Sequence, residues 1–233
     1  MPVPLRYVTC QDFPQVEVGQ SISTAIQLAL PWGDATAETS LTFRGPADDP
    51  DFERYEVLHQ VERDVDAFYN QELVKRILEN RRFFAFYNRS RQYFLVGARR
   101  KDAIGVFERL SKIDPPIHAR SDDIDLRSVL DLGKTTGGYF GKLKIAKVRT
   151  AAVFGSTTVV ESEEWDHYAG LGELTVVYMQ VMADDGETRT LMLMPDRSVL
   201  LAKDTGDGTN LRFVADMQVD IDKLLNQPTQ LGE

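Results

Sequence analysis

The stretch FERYEVLHQVERDVDAFYNQELVKRILEN, residues 52–80, sets the architecture of the first third of the chain. In it Val57, Leu58, Val61, Val65, Phe68, Val74, Ile77 and Leu78 recur at near-helical spacing, which predicts an amphipathic helix over residues 53–80. The apolar stripe drifts after Tyr69–Asn70, so a break is allowed there. The acidic linker PADDPDFE, residues 46–53, leads into it.

Upstream, residues 14–45 are β-prone. QVEVG, STAIQLAL and TSLTF are rich in Val, Ile, Thr and Leu and are broken at Gly19, Pro31–Gly33 and Gly45–Pro46. Downstream, RRFFAFYNRSRQYFLVGARR, residues 81–100, predicts a hairpin turning at Asn88-Arg89-Ser90-Arg91. Phe84 and Phe86 on one side and Phe83, Ala85 and Tyr87 on the other give strands that are apolar on both faces, the pattern of buried strands. Asp102 is placed to cap a helix, DAIGVFERLSKI, with Ile104, Phe107 and Leu110 inward and Pro115–Pro116 at its end. SDDIDLRSVLDLG, residues 121–133, predicts a short helix with an acidic first turn. From about residue 142 the chain reads as successive strands: KVRTAAVFG, ELTVVYMQVMA, ETRTLMLM, RSVLLAK and LRFVADM. A last short helix, DIDKLLN, precedes a polar tail.

The expected fold is therefore α+β: a mixed N-terminal half with a β-hairpin and helices, followed by an antiparallel, β-rich C-terminal half. The glycine-rich run GKTTGGYFG, residues 133–141, is the candidate joint between an N-terminal region, residues 1–132, and a C-terminal region, residues 133–233, which can share one core.

That run raises the question of nucleotide binding. Gly133-Lys134-Thr135 is how a phosphate-binding loop ends, but the first glycine such a loop needs is Ser128 here. Val129, Leu130 and Leu132 are too bulky for the cradle, and Asp131 would repel a phosphate. The segment Gly138-Tyr139-Phe140-Gly141 is a GxxG, which in some RNA-binding modules clamps the backbone between two helices; here it reads first as a flexible joint.

Other chemistries leave little trace. The chain has one cysteine, Cys10, so no intrachain disulfide and no cysteine-based zinc site. His59, His118 and His167 form no metal-ligand spacing. Asp122-Asp123-Ile124-Asp125 and the acidic surroundings of His167 (Glu161, Glu163, Glu164, Asp166) are the only carboxylate clusters with metal potential, and a helix N-terminus and an exposed loop account for them. No acidic residue stands two before any lysine, and no nucleophile elbow or dinucleotide fingerprint is present. The sequence calls for no catalytic residue, cofactor or metal and leans against an enzyme. No stretch approaches the roughly 18 apolar residues of a membrane span, and with no apolar leader a cytoplasmic location is the default expectation.

Charge is the informative feature. The net charge is −9, yet residues 75–150 carry 18 Lys/Arg against 8 Asp/Glu. Residues 1–74 carry 4 against 13 and residues 151–233 carry 5 against 15. Either the pieces attract one another within the fold, or the basic middle meets a polyanion. On the second reading the contacts are Arg81, Arg82, Arg89, Arg91, Arg99, Arg100, Lys101, Lys134, Lys142, Lys144, Lys147 and Arg149, meeting the phosphate backbone of DNA or RNA with little sequence preference. Two alternatives stay open behind it. One is an assembly subunit whose acidic and basic regions pair with a protein partner or between copies of itself. The other is a metal-dependent enzyme built on the carboxylate clusters.

Overall fold

The computed structural model describes residues 2–30, 33–69 and 72–226. In chain order these form β1 (Val3–Cys10), β2 (Ser21–Leu30), β3 (Gly33–Pro46), β4 (Phe52–Tyr69), β5 (Glu72–Asn88), β6 (Tyr93–Val96), α1 (Arg100–Leu110) and β7 (Ala119–Arg120). A 3-10 helix (Leu126–Leu132) follows, then β8 (Lys134–Gly141), β9 (Ala151–Phe154), α2 (Glu163–Leu171), β10 (Glu173–Met182), β11 (Thr188–Leu193), β12 (Val199–Leu201) and α3 (Asp207–Leu225). The protein is mostly β, with 47% strand and 21% helix and antiparallel pairing, so the expected α+β class with a helical N-terminal half is corrected.

The correction comes from residues 53–80. They are not a helix but the greater part of two long strands, β4 and β5, paired from Phe52↔Asn88 to Tyr69↔Glu72. Tyr55, Val57 and His59 are buried in alternation, while Glu56, Leu58 and Gln60 between them are only half-buried. That is the period of two that a strand imposes. The near-helical spacing of the apolar residues is coincidental, and cross-strand partners override it: Glu62 meets Arg76 and Glu56 meets Arg82, neighbours only when the two segments lie side by side. The break allowed at Tyr69–Asn70 falls partly on residues 70–71, and the breaks at Pro31 and Trp32 and the polar tail after Asn226 also lie outside the described residues.

The chain groups into two compact units, Val8–Arg120 and Met1–Tyr7 with Ser121–Glu233, and β1 runs from one into the other. In the first unit the strand order is β2-β3-β4-β5-β6 and then the end of β1, whose Thr9 and Cys10 pair with β7. Its core is aromatic: Phe13 stands edge-on to Tyr55 and Phe94 at 5.3 and 4.8 Å between ring centres. The Tyr87 hydroxyl donates to the Cys10 carbonyl at 3.1 Å. Helix α1 closes this core with Ala103, Val106, Phe107 and Leu110. Asp102 does not cap it; the N-cap is Arg99, which makes no side-chain cap, and Asp102 sits in the first turn, where the helix dipole favours an anion. The hairpin expected at residues 81–100 is present as β5 and β6, but Phe84 is exposed rather than buried.

In the second unit the order is the start of β1, then β12-β11-β10-β8-β9. Val177, Met179, Leu191, Leu193, Val199 and Leu201 are buried. They stand on alternate positions of three neighbouring strands and so line one face of the sheet. On that face the Arg189 guanidinium of β11 covers the Phe213 ring of α3 at 4.8 Å. LRFVADM, expected as a strand, belongs to α3, because Leu211, Val214, Met217 and Ile221 continue a helical stripe into DIDKLL. GKTTGGYFG is not a joint. Residues 134–141 are strand β8, and Gly133 is extended, so neither a phosphate loop running into a helix nor a GxxG between helices is formed. The two central glycines admit rings on opposite faces. A side chain on Gly138 would collide with Trp165 at 2.8 Å, and one on Gly137 would collide with Phe154.

Candidate nucleic-acid interface

The twelve basic residues expected to meet a polyanion separate into two groups with different surroundings. Seven belong to the unit of residues 8–120. Arg89 forks onto Glu53 with two bonds of 2.7 Å and donates a third to the Phe13 carbonyl at 3.1 Å. Partial burial works against the Glu53 carboxylate, but the Arg89 fork and the Tyr55 hydroxyl outweigh it and hold Glu53 below its ordinary range. Arg82 donates to Glu56 at 3.2 Å, and Arg81 to Glu79 at 2.9 Å. Arg91 is an exposed turn residue whose amide is held by the Asn88 side chain at 3.0 Å. For the arginines of β5, the explanation of the basic middle that applies is attraction within the fold.

Arg99, Arg100 and Lys101, at the start of α1, are exposed. They border a cavity of about 990 Å³, whose floor includes His59, Arg81 and Arg109. Arg109 donates to the Thr39 hydroxyl at 3.0 Å, and that hydroxyl lies 2.8 Å from His59 Nδ1. Burial depresses both bases: the imidazole falls to about 4, with Arg109 adding to the effect, and the guanidinium falls below its ordinary value. His59 is therefore neutral at physiological pH. The cavity is nevertheless mixed in sign, since Glu62, Asp64, Asp102 and Glu108 also line it. Residues 8–120 as a whole carry 15 Lys/Arg and 17 Asp/Glu.

The remaining five, Lys134, Lys142, Lys144, Lys147 and Arg149, fall on a single hairpin, β8 and β9 with the turn between them. From residue 132 to residue 160 the chain has these five cations and no Asp or Glu. All five are exposed. Lys142 reaches Glu173 of the neighbouring strand at 2.7 Å, and Lys134 donates to the Ser156 carbonyl at 3.3 Å. Lys144, Lys147 and Arg149 have no ion-pair partner among the described residues. The turn is ordered by its own backbone: the Leu143 amide donates to the Arg149 carbonyl at 3.4 Å, Lys144 to Leu171 at 2.9 Å, and Ile145 bridges Val148. Lys142 and Lys147 adopt positive φ, 51° and 67°, at this turn, and both are exposed.

The sequence reading missed the aromatic residues of this region. Tyr139 of β8, Phe154 of β9 and Tyr178 of β10 form one cluster, with ring centres 5.6, 5.0 and 5.9 Å apart. Tyr139 and Phe154 could have been noticed beside the basic turn; Tyr178 enters only through strand pairing. Four of the carboxylates considered for a metal sit at helix ends. Asp125 accepts from the Arg127 amide as the cap of the 3-10 helix, and Glu163, Glu164 and Asp166 occupy the first turn of α2 behind its Ser162 cap. Among the described residues no group of three or more His, Cys, Asp or Glu is placed to hold a metal, and no helix is long and apolar enough to cross a membrane. The chain matches no protein-family model and no curated protein.

Proposed function

We propose that this is a non-enzymatic, cytoplasmic accessory protein that binds the phosphate backbone of nucleic acid through the β8–β9 hairpin. The observation that carries the reading is the run of residues 132–160, five exposed cations without one carboxylate, in a protein of net charge −9. A hairpin with its turn held in shape by backbone bonds presents those charges at little cost in ordering. Contacts of this kind position a backbone and carry no base sequence, so binding falls steeply with salt.

The test is fluorescence anisotropy of the purified chain with labelled DNA and RNA at low and moderate salt. Replacing Lys142, Lys144, Lys147 and Arg149 with Ala is expected to weaken binding by at least about 100-fold at low salt and to flatten the salt dependence by about three logarithmic units per decade. Unchanged affinity in a folded variant would overturn the reading. For the assembly alternative, the arginines of the first hairpin are not available, since Arg89 and Arg76 already pair with Glu53 and Glu62 within it.

A further inference from the structure

We infer that the open face of the β8–β9–β10 sheet takes the bases of single-stranded nucleic acid, stacked on Tyr139, Phe154 and Tyr178. The inference rests on the backbone-binding reading above and names the form of nucleic acid that the same hairpin selects.

Three observations carry it. The pairings Pro4↔Leu200, Leu200↔Met192, Met192↔Tyr178, Tyr178↔Gly137 and Gly137↔Phe154 place these side chains in one row across the sheet. The row is on the face opposite Leu191, Leu193 and Val199, which pack inward. Second, its aromatic end is open: Tyr139 is 39% and Phe154 54% exposed, unusual for rings that a fold could bury. Gly137 makes room for Phe154 to lie over the sheet, since a Cβ there would come within 2.3 Å of that ring. Third, cations flank the rings along the strands. Lys142 follows Tyr139 by three residues, Arg149 precedes by two the Ala151 that pairs with Phe140, and Lys134 lies three residues before Gly137 at the other end. A flat apolar partner that brings regularly spaced anions fits both features, and a single strand is such a partner: its bases lie on aromatic rings while phosphates meet lysines. Antiparallel sheets that work this way stack two or three bases. A duplex keeps its bases stacked within itself and offers the rings nothing.

The experiment compares a labelled oligo-dT 12-mer with a duplex of the same length on the full chain, across a salt series. The wild type is expected to prefer the single strand by tenfold or more. Tyr139→Ala and Phe154→Ala should each weaken single-strand binding about tenfold and leave the salt slope unchanged. Tyr139→Phe, which keeps the ring, should restore it, and Gly137→Ala should mimic Phe154→Ala by pushing that ring aside. Circular dichroism checks that each variant is folded. Lys144→Ala and Lys147→Ala should each lower the slope by about 0.7. If the lysine variants weaken binding but the aromatic variants do not, or the duplex binds equally well, the stacking inference is overturned and the backbone reading stands. If the wild type binds neither probe, the backbone reading itself fails. A concentration-dependent dimer lost in Tyr139→Ala, without single-strand preference, would assign the face to a second copy and overturn the inference.

Discussion

Across the β4–β5 hairpin Arg76 meets Glu62, Arg82 meets Glu56 and, at its base, Arg89 meets Glu53; on the β8–β9 hairpin Lys144, Lys147 and Arg149 meet no carboxylate among the described residues. These cations of the two hairpins belong to the same basic stretch of sequence, residues 75–150, and linear charge counting cannot separate them. What separates them is the strand each lies beside. β5 is laid against acidic β4, so its charge is neutralised locally and serves pairing register. β8 is laid against β9 and β10, where Glu173 is the only acidic residue, so most of its charge is not matched by the strands beside it. Net charge over a segment describes a surface only once its neighbours in space are known.

The comparison can be broken most forcefully by exchanging readouts. The quadruple Lys142, Lys144, Lys147 and Arg149 to Ala variant should lose nucleic-acid binding by at least about 100-fold and keep its melting temperature within a degree or two, because three of these exposed cations have no ion-pair partner among the described residues and the exposed Lys142–Glu173 pair contributes little to stability. A large fall in melting temperature would show that these charges are structural after all. His59, on β4, gives the next largest effect. Its folded value near 4 lies below the ordinary 6.5, so between those values the unfolded chain binds a proton that the folded chain refuses. Stability contributed by the neutral imidazole is complete above pH 6.5 and is lost as the pH falls toward 4, by roughly 3 kcal/mol. Urea titrations of wild type and His59→Gln from pH 7 to 4 should converge, since the glutamine has no such dependence; parallel curves would refute it.

Arg89→Ala comes third. Losing a two-bond fork to a half-buried Glu53 should cost about 1–2 kcal/mol and leave nucleic-acid affinity within twofold. In the same pair, the depressed Glu53 carboxyl contributes stability that is present above its ordinary range and lost as the pH falls through its lowered folded value. The smallest effect is expected at Arg82, 63% exposed and held by one bond to Glu56. Arg82→Ala should change stability by less than about 0.5 kcal/mol and binding not at all. A clear loss of binding there would extend the interface onto the first hairpin and erase the contrast.

What the sequence disclosed follows the same line. Strands whose signal is local, such as STAIQLAL, ELTVVYMQVMA and ETRTLMLM, were legible from β-branched and alternating residues. Residues 53–80 were not, because Val57, Leu58, Val61 and Val65 satisfy a helical period as well as a strand's, and the decision is made by Arg76, Arg82 and Phe86 arriving from the next strand. LRFVADM failed in the opposite sense: its alternation imitates a strand until Ile221 completes the helical stripe. Of the candidate site, the cations of residues 134–149 were visible. Their separation from the β5 arginines was not, and neither was the ring of Tyr178, 39 residues along the chain from Tyr139 and brought beside it by strand pairing.

Strand β1 has a consequence for how the molecule is made. Its Val3, Pro4 and Leu5 pair with Leu201, Leu200 and Val199, while its last residues belong with the unit that ends at Arg120. During synthesis from the N-terminus, residues 8–120 possess every strand they need once Arg120 has left the ribosome, and domains generally fold as units in that order. The other unit depends on pairing Val3–Leu5 with Val199–Leu201, far apart in sequence and so slow to close. Val3, Pro4 and Leu5 are thus made well before the residues they pair with. Until β12 emerges, this part of β1 lacks the strand that completes its ladder, an exposed edge of the kind that invites pairing with another chain.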